Sequence, residues 1–285
     1  RDLIVTGVQT CALPISAHFP KPVSLIPERG AIARRATAGN LELRQGEKGG
    51  FTVQGMPGGS CLRVETALGM TPEAPAVLRA EDGGPAVAGV TLQIREIPGG
   101  FELTAVRPDG LELKRTLKLE RGLLFWHEVW RNASDRPLGV PFRHRFCLPD
   151  KAVSFSLGGD GDTGARLSSA QNPTLFLNDK ADGNGFGIAA ENDWLRLLMG
   201  LRASGGIGEL YSTQLALEPG KSIEFDLTID PEPGKQGYWG FINRLRRRWL
   251  GDDTITAAAP YFWNTDYRQA PGATEAEKIR NSYAH

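Results

Sequence analysis

Residues 123–148 read L-L-F-W-H-E-V-W-R, then N-A-S-D-R-P-L-G, then V-P-F-R-H-R-F-C-L. Two aromatic-rich runs flank a segment built of Asn132, Ser134, Asp135, Pro137 and Gly139. Asn, Ser and Asp side chains bond their own backbone, proline presets φ, and glycine accepts positive φ, so this composition predicts a turn. Strand, turn and strand in succession predict an antiparallel hairpin. Side chains alternate across a strand. Trp126, Glu128 and Trp130 therefore share one face of the first strand. In the second, Phe142, His144 and Phe146 share one face and Arg143 and Arg145 the other.

The same period extends outward. Residues 41–44, 51–54, 63–66, 91–97 and 101–107 read as short strands, and 111–120 alternates with Leu111, Leu113, Leu117 and Leu119 on one side. In 222–230, Ile223, Phe225, Leu227 and Ile229 point one way and Ser222, Glu224, Asp226, Thr228 and Asp230 the other, as in a strand with one wet face. The expectation is an all-β chain: a large antiparallel β-sandwich over residues 16–234. The period then changes. Tyr238, Trp239, Phe241, Ile242, Leu245 and Trp249 form one helical stripe, with Arg244, Arg246, Arg247 and Arg248 on a solvated face. This predicts a connector helix over 235–251 packed against the sandwich. Residues 252–285 read as a linker and the truncated start of a second domain, with a helix beginning near Ala273.

Composition excludes several classes. The 35 Gly and 19 Pro are spread between the strand patterns, so they punctuate turns and do not mark a disordered tract. Lys+Arg and Asp+Glu are 33 each, which removes the basic excess expected of a nucleic-acid binder. No apolar run reaches the ~18 residues of a spanning helix, so no membrane partner is expected. Residues 1–15 resemble a translated sequencing adapter and are left out of the fold argument. Any export signal would lie upstream of them, and a periplasmic or secreted location is the expectation. Outside that segment Cys61 and Cys147 remain, either paired or buried as free thiols.

Several side chains have chemistry to offer, each with a plainer reading. A carboxylate between two indoles (Trp126, Glu128, Trp130) suits a sugar, whose apolar face stacks on rings while its hydroxyls bond the acid; the plainer reading is a covered strand face. His144 is a sugar contact or acid, or a histidine packed between two phenylalanines. Arg143 and Arg145 hold an acidic sugar bidentately, or pair with neighbouring carboxylates. Gly159, Gly161 and Gly164 spell G-x-G-x-x-G, but Asp160 and Asp162 between them repel phosphate, so no dinucleotide cofactor is expected. The D-G-N of 178–184 suggests calcium, but Lys180 occupies a ligand position, so no metal is expected.

N-A-S-D-R-P-L-G-V-P-F-R-H-R-F resembles the asparagine-turn and His–Phe strand of galactose-mutarotase-like supersandwich proteins. Q-L-A-L-E-P-G-K-S-I-E-F-D-L-T-I resembles the closing strand of the same superfamily, and the helix G-Y-W-G-F-I-N-R-L-R-R-R-W looks like the connector after such a sandwich in large bacterial carbohydrate-active proteins. The resemblance implies a supersandwich that contacts carbohydrate, followed in cis by a glycoside hydrolase-like catalytic domain. Its enzymes use two histidines and a carboxylate. Here His144 alone falls near the family's position, its Phe follows at two residues instead of three, and no L-H-G segment supplies the second histidine. The expectation is thus a non-catalytic module. The alternative is a mutarotase-like epimerase using His144, His127 and Glu128.

Overall fold

The computed structural model describes residues 23–25, 34–55, 59–68, 90–159, 168–169, 174–212, 215–232, 236–250, 274 and 277. Along the chain run β1 (Val23–Leu25), β2 (Arg34–Ala38), β3 (Leu41–Gln45), β4 (Phe51–Gly55), β5 (Cys61–Leu68), β6 (Thr91–Ile97), β7 (Gly100–Val106), β8 (Leu111–Glu120), β9 (Leu123–Asn132), β10 (Leu138–Gly139), β11 (Phe142–Cys147) and β12 (Val153–Leu157). There follow β13 (Ser168–Ser169), β14 (Thr174–Asp179), β15 (Gly185–Ala190), α1 (Asp193–Leu198), β16 (Gly200–Ser204), β17 (Ile207–Ser212), β18 (Ala216–Leu217), β19 (Ser222–Glu232) and α2 (Gly237–Leu250). The strands pair antiparallel into one sheet ordered β13-β16-β17-β11-β5-β4-β3-β2, with β1 also on β5, and another ordered β12-β14-β15-β19-β9-β8-β7-β6. A short ribbon joins β10 to β18. The two large sheets enclose a common core, the expected antiparallel β-sandwich.

Local chemistry explains the clearest pair. β8 alternates buried and wet positions along its whole length, and β9 pairs with it from Leu111↔Asn132 to Glu120↔Leu123. Their two-residue connection is Arg121 and Gly122, both at positive φ (53° and 77°), the turn whose twist matches that of the strands.

Residues 123–148 correct the sequence reading. β9 pairs with β8 and β19, whereas β11 pairs with β5 and β17 in the other sheet. The segment is an arch between layers and not a hairpin within one. Asn132 holds the corner: its Nδ2 donates to Arg136 O and Leu217 O at 2.8 Å each, and its Oδ1 accepts from Ser134 N and Ser134 Oγ. Asn132, Ser134, Asp135 and Pro137 lie at the bend as expected, whereas Gly139 pairs with Ala216 in the β10–β18 ribbon; a period of two fits an arch as well as a hairpin, because both bury alternate residues.

The chain divides into two compact units, residues 1–244 and 245–285, and α2 crosses the division. Within the first unit α2 docks as expected through Phe241, which is fully buried and stacks on Phe176 with centroids 5.9 Å apart. Some details differ from the stripe read in the sequence. Trp239 and Trp249 are 69% and 40% exposed, and the Tyr238 ring lies beside that of Trp239. Arg244, assigned to the solvated face, chelates Asp230 at 3.0–3.3 Å and also pairs with Glu232. The wet face of β19 is therefore wet only over its first half. In the second unit Thr274 and Glu277 form a reciprocal capping box (3.1 and 3.2 Å), the signature of a helix start near the expected place. The linker and second-domain expectations, and the adapter-like residues, lie outside the described residues.

Gly187 on β15 makes the docking possible. A Cβ there would sit 2.2 Å from Phe241 Cδ2. Gly187→Ala is expected to destabilise by about 1–3 kcal/mol, the usual cost of overpacking. Phe241→Leu in the same chain should recover part of that loss, measured by urea unfolding.

Candidate functional site

The inward faces of β9 and β11 meet across the core. Glu128 lies at their centre and is 0% exposed. Its Oε1 accepts from Arg115 Nε at 2.7 Å and Trp126 Nε1 at 2.8 Å, and its Oε2 accepts from Trp130 Nε1 at 2.8 Å. Arg115 comes from β8 and extends through the core: Nη2 donates to Thr66 Oγ1 (2.6 Å), Nη1 to Gly49 O (3.2 Å), and its guanidinium lies 4.9 Å from the Trp126 ring. Thr66 Oγ1 is 3.0 Å from His144 Nδ1. Arg115 is donor-only, so Thr66 accepts from it and turns its own hydrogen toward Nδ1. The proton of a neutral His144 then sits on Nε2, 3.4 Å from Glu128 Oε2. Glu128, Arg115, Thr66 and His144 close a ring that ties β8, β9, β5 and β11 together.

Electrostatics hold this ring in one protonation state. Burial pushes the Glu128 carboxyl up, but Arg115 and then His144 outweigh it and bring the group well below the usual carboxylate range. Burial lowers His144, against the opposing pull of Glu128. A neutral imidazole beside an ionised carboxylate is therefore the resting state.

These positions correct the sugar-platform expectation. Trp126, Glu128 and Trp130 do share a face, but it is the core face, and both indole N–H groups are spent on Glu128. His144 sits between Phe142 and Trp126, with ring centroids 5.0 and 4.6 Å away. His127 does not join it. It lies on the opposite face of β9, where Nδ1 is 2.7 Å from Asp226 Oδ1, with both side chains nearly half exposed. The alternative catalytic trio of His144, His127 and Glu128 is thus split by a sheet: two members are sealed in the core and the third is outside.

Arg143 and Arg145 occupy the outer face of the nine-stranded sheet, as their alternation with His144 predicts. They are not solvated. Arg143, Arg145 and Arg202 converge on Glu209, at 3.3, 3.5 and 2.5 Å, and Arg145 and Arg63 share Glu65 at 3.5 and 2.9 Å. The plainer reading, pairing with neighbouring carboxylates, describes their contacts. Arg202 and Glu209 carried no signal in the sequence, because cross-strand pairing (Arg145↔Glu209, Arg202↔Glu209) brings them here. Burial raises Glu209 despite the three guanidiniums.

Cys61 and Cys147 are free thiols, and burial, then Glu65, pushes Cys147 up to about 11. In the D-G-N loop the Asp179 carboxylate is taken by Lys151 Nζ at 2.7 Å and by Ala181 N, and Asp182 caps Asn184 N. The side chains are used as turn braces. Most of the G-x-G-x-x-G segment lies outside the described residues.

Two outcomes follow from the buried ring. Glu128→Gln leaves the Arg115 charge buried without its carboxylate and is expected to cost about 3–5 kcal/mol, whereas Arg115→Met combined with Glu128→Leu should recover most of it in urea titrations. The pH response has a fixed sign. The folded-state value of His144 lies below the ordinary 6.5, so the unfolded chain takes up the proton first, and stability falls as pH drops from about 6.5 through that folded value. Glu128 adds a further loss starting near the ordinary 4.5. Thermal melts should decline between pH 7 and 5, by up to about 1.4 kcal/mol per pH unit for the single proton, and His144→Gln should flatten that decline.

No family model and no curated protein matches the chain. Solved structures do. The galactose mutarotase-related enzyme of Lactobacillus acidophilus is 10% identical, with 72% of this chain and 99% of that one covered at a TM-score of 0.46. A putative aldose 1-epimerase from Escherichia coli is 9% identical, over 70% and 98% of the two chains, at 0.48. The alpha-N-acetylgalactosaminidase NagBb of Bifidobacterium bifidum, solved with GalNAc, is 14% identical over 76% of this chain and 39% of its own, at 0.47. This chain is similar to each of them, and its own all-antiparallel, two-sheet register defines it as a β-sandwich.

Proposed function

We propose that this chain is a non-catalytic, carbohydrate-contacting β-sandwich module that works in cis with a C-terminal catalytic domain. The observation that supports this reading is the burial of His144 and Glu128, both at 0% exposure, 3.4 Å apart. Anomeric proton transfer requires an acid and a base within hydrogen-bond reach of the sugar. Here the histidine that the resemblance singles out faces inward and holds the two sheets together. The resemblance of the arch and the closing strand to a sugar-binding superfamily then speaks for contact without turnover. Contact falls to the outer face of the nine-stranded sheet, where Arg143 and Arg145 stand, with Tyr211 opposite Arg143 in the β11–β17 register, and not to Trp126 and Trp130.

Polarimetry of freshly dissolved galactose and glucose is expected to show no acceleration of anomer exchange over buffer. Acceleration that disappears in His144→Gln would restore the epimerase reading. On an array of plant and bacterial polysaccharides the chain is expected to retain at least one class. Retention of none would leave a purely structural packing domain.

A further inference from the structure

On the outer face of the eight-stranded sheet, Thr116, His127 and Asp226 stand side by side in the register of β8, β9 and β19. His127 Nδ1 lies 2.7 Å from Asp226 Oδ1. An ionised carboxylate only accepts hydrogen bonds, so Nδ1 carries the ring proton and Nε2 of the neutral imidazole is a bare acceptor. The pair is braced from behind. Asn192 caps α1 by accepting from Leu195 N at 3.0 Å, and its Nδ2 donates to Asp226 Oδ2 at 3.3 Å and to Glu224 O at 3.0 Å. The tautomer is thus held by a chain of contacts running from α1 through β19 to β9.

This face is open. The His127 and Asp226 side chains are 42% and 45% exposed. Neither His127 Nε2 nor Thr116 Oγ1 bonds a described residue, and neither is among the polar atoms sealed from solvent, so a ligand can reach both. Phe125, two residues from His127 on the same face of β9, is only partly buried. Lys114 and Lys118 flank Thr116 on β8, and each has a carboxylate beside it, Glu102 at 3.9 Å and Glu120 at 3.1 Å.

We infer that Phe125, His127 and Thr116 form a subsite for a neutral sugar ring. One sugar hydroxyl donates to His127 Nε2, Thr116 Oγ1 exchanges a hydrogen bond with another, and the apolar face of the ring lies on Phe125. A sugar combines a C–H face with hydroxyl edges, which suits an aromatic ring set beside a bare acceptor and a free hydroxyl. An anionic ligand would meet the Nε2 lone pair and the Asp226 carboxylate, and a cationic one would meet Lys114 and Lys118. The subsite rests on the proposed carbohydrate-contacting role, names a class of sugar and adds a second face to the one that carries Arg143 and Arg145.

Titration calorimetry on the full chain tests it with three probes of equal length: a neutral galactose oligomer, a neutral glucose oligomer and a galacturonate oligomer. At least one neutral oligomer is expected to bind, about tenfold or more tightly than galacturonate. Phe125→Ala and His127→Ala should each weaken it by about tenfold or more, with the near-UV circular dichroism spectrum retained. A second readout is independent of affinity. In the proton–nitrogen correlation spectrum of the histidine rings at mildly alkaline pH, with His127 assigned by its loss in His127→Gln, Nε2 should be the unprotonated nitrogen and should shift when the bound oligomer is added. A proton on Nε2, or a resonance that the sugar leaves in place, would overturn the assignment. Galacturonate bound as tightly as the neutral oligomers would overturn the neutral class. Neutral binding unchanged in folded Phe125 and His127 variants would end this inference and leave the carbohydrate-contacting role standing. No heat from either neutral oligomer would also end it, and the polysaccharide array then judges the proposed role separately.

Discussion

A carboxylate with no access to water lies between the two sheets, and the rest of the sandwich is arranged around it. Glu128 has no exposed surface, and three donors reach it within 2.8 Å, two of them indoles from its own strand and one a guanidinium from β8. Such a group is tolerable only when every lone pair is engaged, and removing any partner strands a charge in a medium that cannot solvate it. The requirement fixes neighbours that lie far apart in sequence: Arg115 must cross the core, Thr66 must accept from it, and His144 must turn its bare nitrogen to Thr66. An apolar core of equal volume would tolerate sliding of one sheet on the other. This core does not, because sliding would part Arg115 from Thr66 and Gly49 and His144 from Glu128, the contacts that cross from one sheet to the other.

The arch at Asn132 serves the same constraint. Consecutive strands that paired in one sheet would have placed Glu128 and His144 side by side along a surface. By sending β11 into the opposite sheet, the corner turns two neighbouring runs into facing layers. Trp130 then packs on Phe142 with centroids 5.5 Å apart, and Phe142 on Phe225 at 5.1 Å. The residues that resemble catalytic groups become part of the mortar. On the reverse side of β11, Arg143 and Arg145 alternate with the core residues and meet Glu209 and Glu65 from the strands on either side.

Helix α2 shows the same division on a smaller scale. Its apolar stripe was legible from spacing, and Phe241 is buried as a stripe residue should be. Arg244 was not legible as a docking residue, because nothing in R-L-R-R-R-W separates the arginine that meets Asp230 and Glu232 from those that meet water. Trp239 was misread for the converse reason: helical spacing marks a side chain as able to face the sheet, while the length of helix lying over β15 and β14 decides whether it does. Helix α1 escaped notice altogether, since six residues carry too few turns for a period, although its Asn192 cap accepts from Leu195 N as such caps do.

By itself the sequence determined the strand class, the span of β8, the face on which each of Phe142, Arg143, His144 and Arg145 lies, the turn chemistry of Asn132 to Pro137, and the helix after the sandwich. These are local: they follow from alternation, from side chains that bond their own backbone, and from helical spacing. Tertiary structure decided which strand each strand meets. That choice put β9 and β11 in different sheets, sealed Glu128 and His144 in the core, separated His127 from them, and gathered Glu209, Arg202 and Tyr211 beside Arg143. No local signal carries such information, because hydrogen-bond ladders and buried ion pairs are made between residues tens of positions apart, and a period of two satisfies every partner equally.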